Sequence, residues 1–258
     1  MKRIRVVTPA IYSEDLAFMA DVPGTYSIDG EVVVDHVFIE TGTASIENYI
    51  DDALVTPATI KAAMEAEDDG IDGIIINCMC DPGVHAVREA VSIPVSGTAE
   101  IAMHTAAMLG HAFGFIDVLD TSRTMVIDQI ARYGLRDRFG AFRAINIPVL
   151  EIEKRRQDTI NLLADEAVKL VRDDHADVII LGCGALFGCD KKMKDKICNL
   201  LQVEICPIPI IDPLPLAINT MIAWVRSGLC HSKQAYPFPT NVKAVKGYSL
   251  NPRLYSRR

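Results

Sequence analysis

Ile71-Asp72-Gly73-Ile74-Ile75-Ile76-Asn77-Cys78 and Ala176-Asp177-Val178-Ile179-Ile180-Leu181-Gly182-Cys183 carry one pattern twice: an Asp, a short apolar run, and a Cys six positions beyond the Asp. Short β-branched runs bounded by turn residues read as strands buried on both faces. Each copy follows a helical pattern rich in acids and leads into another helix. Each is also followed by a short apolar strand flanked by proline, Ile93-Pro94-Val95 in one case and Pro207-Ile208-Pro209-Ile210 in the other. The copies lie 105 residues apart, the length of a small lobe.

Working outward, strands are predicted at Ile4–Thr8, Glu31–Ile39, Gly73–Cys78, Pro94–Gly97, Ala112–Leu119, Phe142–Pro148, Val178–Leu181 and Ile208–Ile211. Helices are predicted at Pro57–Glu67, Val84–Val91, Ala99–Leu109, Ser122–Tyr133, Gln157–Arg172, Lys191–Leu201 and Leu216–Arg226. Alternation of strand and helix implies parallel sheets covered on both faces, with ligands at the carboxyl ends of the strands. The fold class is α/β, with two pseudo-symmetric lobes, each a mostly parallel sheet flanked by helices, and the active site in the cleft between them. Lobe one takes residues 1–97 and 208–235, lobe two takes 98–207, and 236–258 read as an extended basic tail.

The chain of 258 residues is 50% hydrophobic and 23% charged, a globular composition with enough material for a core without disulfide or metal staples. Its net charge of −8 argues against nucleic acid as a partner, because phosphate binding depends on clustered Lys and Arg. The last acid is Asp212, and seven cations follow it, so the body carries −15 and the C-terminal segment +7. That split predicts that the tail from Lys243 to Arg258 docks on the acidic body of a neighbouring subunit, making a homo-oligomer. The longest uncharged apolar run, Val178 to Cys189, is too short for a membrane span, and no secretory apolar stretch follows Met1-Lys2-Arg3. Seven irregularly spaced cysteines argue against a disulfide framework and for a reducing, cytoplasmic location.

Free thiols at strand ends are placed to do chemistry. A cysteine just before a helix N-terminus feels the positive end of the helix dipole, which predicts a lowered thiol pKa for Cys78 and Cys183. Asp81-Pro82-Gly83 reads as a helix start, with Asp81 as its cap. Gly182 and Gly184 read as clearing space for a substrate beside Cys183. Two thiols facing each other across a cleft can work on opposite faces of one carbon, one removing a proton as thiolate and the other donating from its thiol. Two other readings stay open: Cys78 or Cys183 as a nucleophile in an isomerase, decarboxylase or C–S or C–N cleaving enzyme, and Cys78 with Cys80 as a metal or redox-sensing pair. Cys189, Cys198, Cys206 and Cys230 read as small hydrophobes. The six histidines form no zinc-type spacing and no phosphate-binding glycine motif occurs, so neither metal nor cofactor is expected.

Asn77-Cys78-Met79-Cys80-Asp81-Pro82-Gly83, Ala99-Glu100-Ile101-Ala102-Met103-His104, Leu181-Gly182-Cys183-Gly184, Thr43-Ala44-Ser45-Ile46-Glu47 and His231-Ser232-Lys233-Gln234-Ala235-Tyr236-Pro237 together resemble the hydantoin racemase branch of the aspartate/glutamate racemase superfamily. The resemblance runs from residue 4 to about residue 237. It implies a cofactor-independent racemase or epimerase whose proton-transfer pair is Cys78 and Cys183, acting on a small amino-acid-derived or cyclic ureide substrate. Backbone N–H groups near Met79, Cys80, Gly184 and Ala185 are expected to hold the planar intermediate. The chain departs from the family's pattern around the substrate: Asn-Pro-Asn-Thr-Ser is replaced by Thr8-Pro9-Ala10-Ile11-Tyr12, Gly-Pro by Gly42-Thr43, a threonine pair by Asp117-Val118, and a glycine by Cys80. The expected substrate-binding set is therefore Thr8, Ile11, Tyr12, Thr43, Met79, Cys80, Asp117, Val118, Gly184 and Ala185. Asp117 is the most informative, since a carboxylate there disfavours an anionic ligand and favours N–H donors.

Overall fold

In the computed structural model, which describes residues 1–206, 208–240 and 247, the chain forms two four-stranded sheets. The first lobe contains β1 (Lys2–Thr8), β2 (Val32–Phe38), helix α1 (Tyr49–Asp68), β3 (Gly73–Ile76), helix α2 (Val84–Ala90) and β4 (Val95–Gly97). Helix α3 (Thr98–Leu109) crosses to the second lobe. That lobe holds β5 (Phe113–Asp117), α4 (Arg123–Arg132), β6 (Phe139–Ala144), α5 (Arg156–Arg172), β7 (Val178–Leu181), α6 (Cys189–Leu201) and β8 (Ile210–Ile211), and α7 (Pro213–Arg226) returns. The strand orders are β2-β1-β3-β4 and β6-β5-β7-β8, every pairing parallel, so the two sheets repeat one topology.

The twice-used Asp has a structural job in this repeat. Asp72 exchanges bonds with Arg3 at the start of β1: its backbone N–H donates to the Arg3 carbonyl (2.7 Å) and its carboxylate accepts from the Arg3 N–H (2.8 Å). Asp177 does the same with Ala112 before β5, at 2.8 and 3.0 Å. The register follows, pairing Val7 with Ile76 in one lobe and Ile116 with Leu181 in the other. Thr8 and Asp117 thus occupy equivalent strand ends, as do Asn77 and Gly182, and Cys78 and Cys183.

Apolar side chains line both faces of both sheets, as parallel sheets require. Val7, Ile74 and Ile76 pack under α1 and α2, while Ile4, Val6 and Ile75 pack under α7. In the second lobe Ile179 and Leu181 face α5 and α6, while Phe113, Phe115 and Ile180 face α3 and α4. Each fourth strand therefore hands its following helix to the other lobe. This corrects the boundary at 208: Ile210–Ile211 pairs with Ile179–Ile180 as the edge of the second sheet, and only from α7 onward does the chain pack on the first. Helix α1 also begins at Tyr49, well before the Pro57 start expected, because Asn48 accepts the N–H groups of Ile50 and Asp51 and caps it there. Tyr236, at the head of the tail, stacks on His85 with ring centroids 5.8 Å apart; the docking expected of Lys243–Arg258 falls mostly outside the described residues.

Candidate active site

The carboxyl ends of β1, β3, β5 and β7 meet at a cavity of about 70 Å³ between the lobes. Lobe one contributes Thr8, Asn77, Cys78, Met79 and Cys80, and lobe two contributes Asp117, Val118, Cys183, Gly184 and Ala185. Leu16, Met19, Val126 and Val149 supply apolar walls. No Lys, Arg or His lines it among the described residues; its charges are the carboxyls of Asp117 and Glu47.

Each candidate catalytic thiol receives the backbone N–H two residues downstream. The Cys80 N–H donates to Cys78 Sγ (3.5 Å), and the Ala185 N–H stabilises the thiolate of Cys183 in the same way. These donors serve the sulfur atoms and so are not the oxyanion donors expected of them. The N–H groups of Met79 and Gly184, one residue after each cysteine, bond to no acceptor among the described residues. The helix-dipole expectation is also corrected. Helices α2 and α6 begin more than a turn beyond Cys78 and Cys183; a single 3-10 turn, Gly184–Leu186, does start at Cys183, but burial together with the Asp117 charge pushes that thiol up, not down. The Cys80 thiol hydrogen-bonds to Cys78, and that bond and burial raise it well above the ordinary thiol range.

Asp117 is buried, and its pKa is pushed up to about 6 by desolvation, partly offset by its hydrogen bonds. One oxygen accepts the Val118 N–H (2.7 Å) and the other the Ser122 hydroxyl (2.5 Å), which orient the carboxyl at the cavity wall. Gly182 clears space for protein and not for substrate: a Cβ there would lie 2.4 Å from Phe115 Cε1 and 2.9 Å from Asp117 Cα. Gly184 is small because a Cβ would come within 3.1 Å of Asn77 Oδ1 across the cleft. Asp81 does not cap α2, whose N-cap is Gly83 at φ 68°. It is buried and instead accepts the N–H groups of Ala99 and Glu100 at the start of α3 and the Tyr133 hydroxyl (3.0, 2.8 and 2.6 Å).

Three of the expected substrate-binding residues lie off the cavity lining. Tyr12 is 62% exposed and packs edge-on against Phe38, covering the sheet edge. Ile11 and Thr43 bond to each other, Ile11 N–H to the Thr43 carbonyl (3.0 Å), and brace the loop that carries Ser45, Ile46 and Glu47 to the cavity. Glu47 is the residue that spacing missed. Its carboxylate accepts the Val149 N–H of the other lobe (2.9 Å), and its place within the Ile-Glu pair was the available signal. Among the described residues no three His, Cys, Asp or Glu side chains converge in a metal-holding arrangement.

The model of the family described as Asp/Glu/Hydantoin racemase matches residues 26–221. The chain belongs to this family. It is 32% identical over 214 residues to a hydantoin racemase of Pseudomonas sp. (strain NS671), covering 81% of this chain and 82% of the relative. A hydantoin racemase of Rhizobium meliloti is 31% identical over 80% of this chain and 82% of its own length. Among solved structures, allantoin racemase from Klebsiella pneumoniae superposes with a TM-score of 0.85 at 26% identity, covering 98% of this chain and all of that one. The enzyme is thus an isomerase of the racemase type. No helix among its described residues is long and apolar enough to cross a membrane.

Proposed function

We propose that the enzyme racemises a small neutral carbon acid bearing ring N–H groups, a cyclic ureide in preference to a free amino acid, by proton transfer between Cys78 and Cys183. The observation that carries this reading is one cavity that holds equivalent thiols from opposite lobes and two carboxyls, with no lining cation among the described residues. A carboxylate substrate would lie against Asp117 and Glu47 without a counter-charge, whereas N–H donors meet acceptors there. In each turnover one thiolate removes the proton from the activated carbon, and the opposite thiol delivers a proton to the other face of the planar carbanion. The N–H of Cys80 or Ala185 stabilises whichever sulfur carries the charge. The unclaimed N–H groups of Met79 and Gly184 are suited to the developing enolate oxygen. Burial and Asp117 favour Cys183 in its thiol form, which suits an acid better than a standing nucleophile.

Deuterium exchange at C5 of 5-monosubstituted hydantoins in deuterium oxide tests this. Cys78→Ser and Cys183→Ser should each lower racemisation by at least about a thousandfold, since a serine hydroxyl is a poor acid and base near neutral pH. Each variant should retain exchange with only one enantiomer, because one face keeps its thiol. A covalent adduct seen by mass, with one serine variant nearly fully active, would instead establish nucleophilic catalysis.

A further inference from the structure

Asn77 is 3% exposed, and its Oδ1 is buried without a hydrogen-bond partner among the described residues. Buried acceptors are almost always satisfied, so an orphan on a cavity wall marks a place where a ligand brings the donor. A relay stands behind the amide. Asn77 Nδ2 donates to Thr8 Oγ1 (3.3 Å), and Thr8 Oγ1 lies 2.8 Å from His36 Nε2. Burial holds His36 neutral, with a pKa lowered to about 4, and in the tautomer whose Nε2 is bare the ring takes the Thr8 hydroxyl proton and leaves the Thr8 oxygen to accept from Asn77. The relay engages one N–H of the amide and leaves the carbonyl towards Gly184 of the opposite lobe. The fold does not need this amide. The equivalent strand end in the second lobe is Gly182, which holds the same backbone bond to its neighbour, 2.8 Å against 2.9 Å for Asn77.

We propose that Asn77 is a specificity-determining residue whose amide oxygen accepts a ring N–H of the substrate, with Thr8 and His36 as positioning residues that fix its direction. This rests on the reading of the substrate as a cyclic ureide and names the group that recognises it. The site takes an N–H donor presented between Cys78 and Gly184, and N-alkylation of that nitrogen should abolish recognition.

The test measures binding apart from chemistry. A 5-monosubstituted hydantoin and its N1-methyl and N3-methyl derivatives are titrated against the Cys78→Ser/Cys183→Ser protein by calorimetry, and C5 deuterium exchange is followed with the unmodified enzyme. One methyl derivative should bind about tenfold or more weakly than the parent. Asn77→Leu keeps the bulk and removes the acceptor, so it should weaken the parent by a similar factor and leave that methyl derivative unchanged. Thr8→Val should reproduce the effect on the parent and Thr8→Ser should restore it, which a general loss of packing would not do. Equal losses for parent and methyl derivatives in Asn77→Leu, or undiminished discrimination, would overturn the role of Asn77 while leaving exchange intact. Binding with the predicted discrimination but no exchange would overturn the racemase reading and leave Asn77 standing. Failure of all three compounds to bind would overturn both.

Discussion

Asp117 and Thr8 end equivalent strands, and the difference between them is one of the places where the repeated site loses its symmetry. The carboxyl is buried beside Cys183 and raises its thiol pKa, whereas Thr8 is neutral and is spent on Asn77 and His36. In the proposed mechanism this favours Cys183 in its thiol form. Asp117→Asn keeps the shape and removes the charge. Because a nearby negative charge disfavours the thiolate, its loss must lower the Cys183 pKa, and the alkaline limb of the pH profile of kcat/KM should move to lower pH. The same variant should bind carboxylate analogues more tightly than the unmodified enzyme does. An unmoved alkaline limb in Asp117→Asn, with unchanged carboxylate inhibition, would make Asp117 a loop-bracing residue held by Ser122 and Val118 and nothing more.

Strands and helices were legible because the hydrophobic pattern of a parallel sheet is strong, and the doubled Asp-x5-Cys pattern placed both thiols at strand ends. What the pattern concealed was the purpose of single residues. The Asp of that repeat closes the strand register, an interaction between segments some 65–70 positions apart that no local spacing can display. Asp81 looked like the cap of α2 because turn chemistry is local, yet its carboxyl reaches past that helix to the N-terminus of α3, the first helix handed to the other lobe. Gly97 makes room for it: a Cβ there would fall 2.1 Å from the Asp81 carboxyl carbon. Burial raises the Asp81 pKa to about 7 despite three hydrogen bonds. A carboxyl whose folded pKa exceeds its unfolded one holds its proton more tightly when folded, so this group adds stability as pH falls from about 7 towards 4 and loses it as pH rises. Asp81→Asn lacks that dependence. In urea melts across this range the stability gap between the natural enzyme and Asp81→Asn should widen as pH falls; a constant gap would show that Asp81 ionises normally.

At the scale of the whole molecule, the lobes are joined by two chain crossings, β4 to α3 and β8 to α7, and by bonds that span the cleft. Glu47 reaches the Val149 N–H, Tyr133 reaches Asp81, and at the surface the Tyr49 hydroxyl donates to Asp128 of α4 (2.7 Å). The cavity beneath is small and walled by both lobes, so the spacing of the lobes sets its width. The Tyr49–Asp128 bond is the exposed member of this set and lies outside the cavity lining, which makes it a latch that can be cut without touching the chemistry. A hydrogen bond of this kind contributes about 1 kcal/mol net, equivalent to roughly a fivefold shift of the closed population. Tyr49→Phe and Asp128→Ala should each raise KM by up to about that factor, with no fall in kcat and at most about 1 kcal/mol off global stability. Because the two residues form one bond, the double variant should behave like either single one, and additive effects in that cycle would show that the residues act separately and that closure is governed by the buried contacts alone.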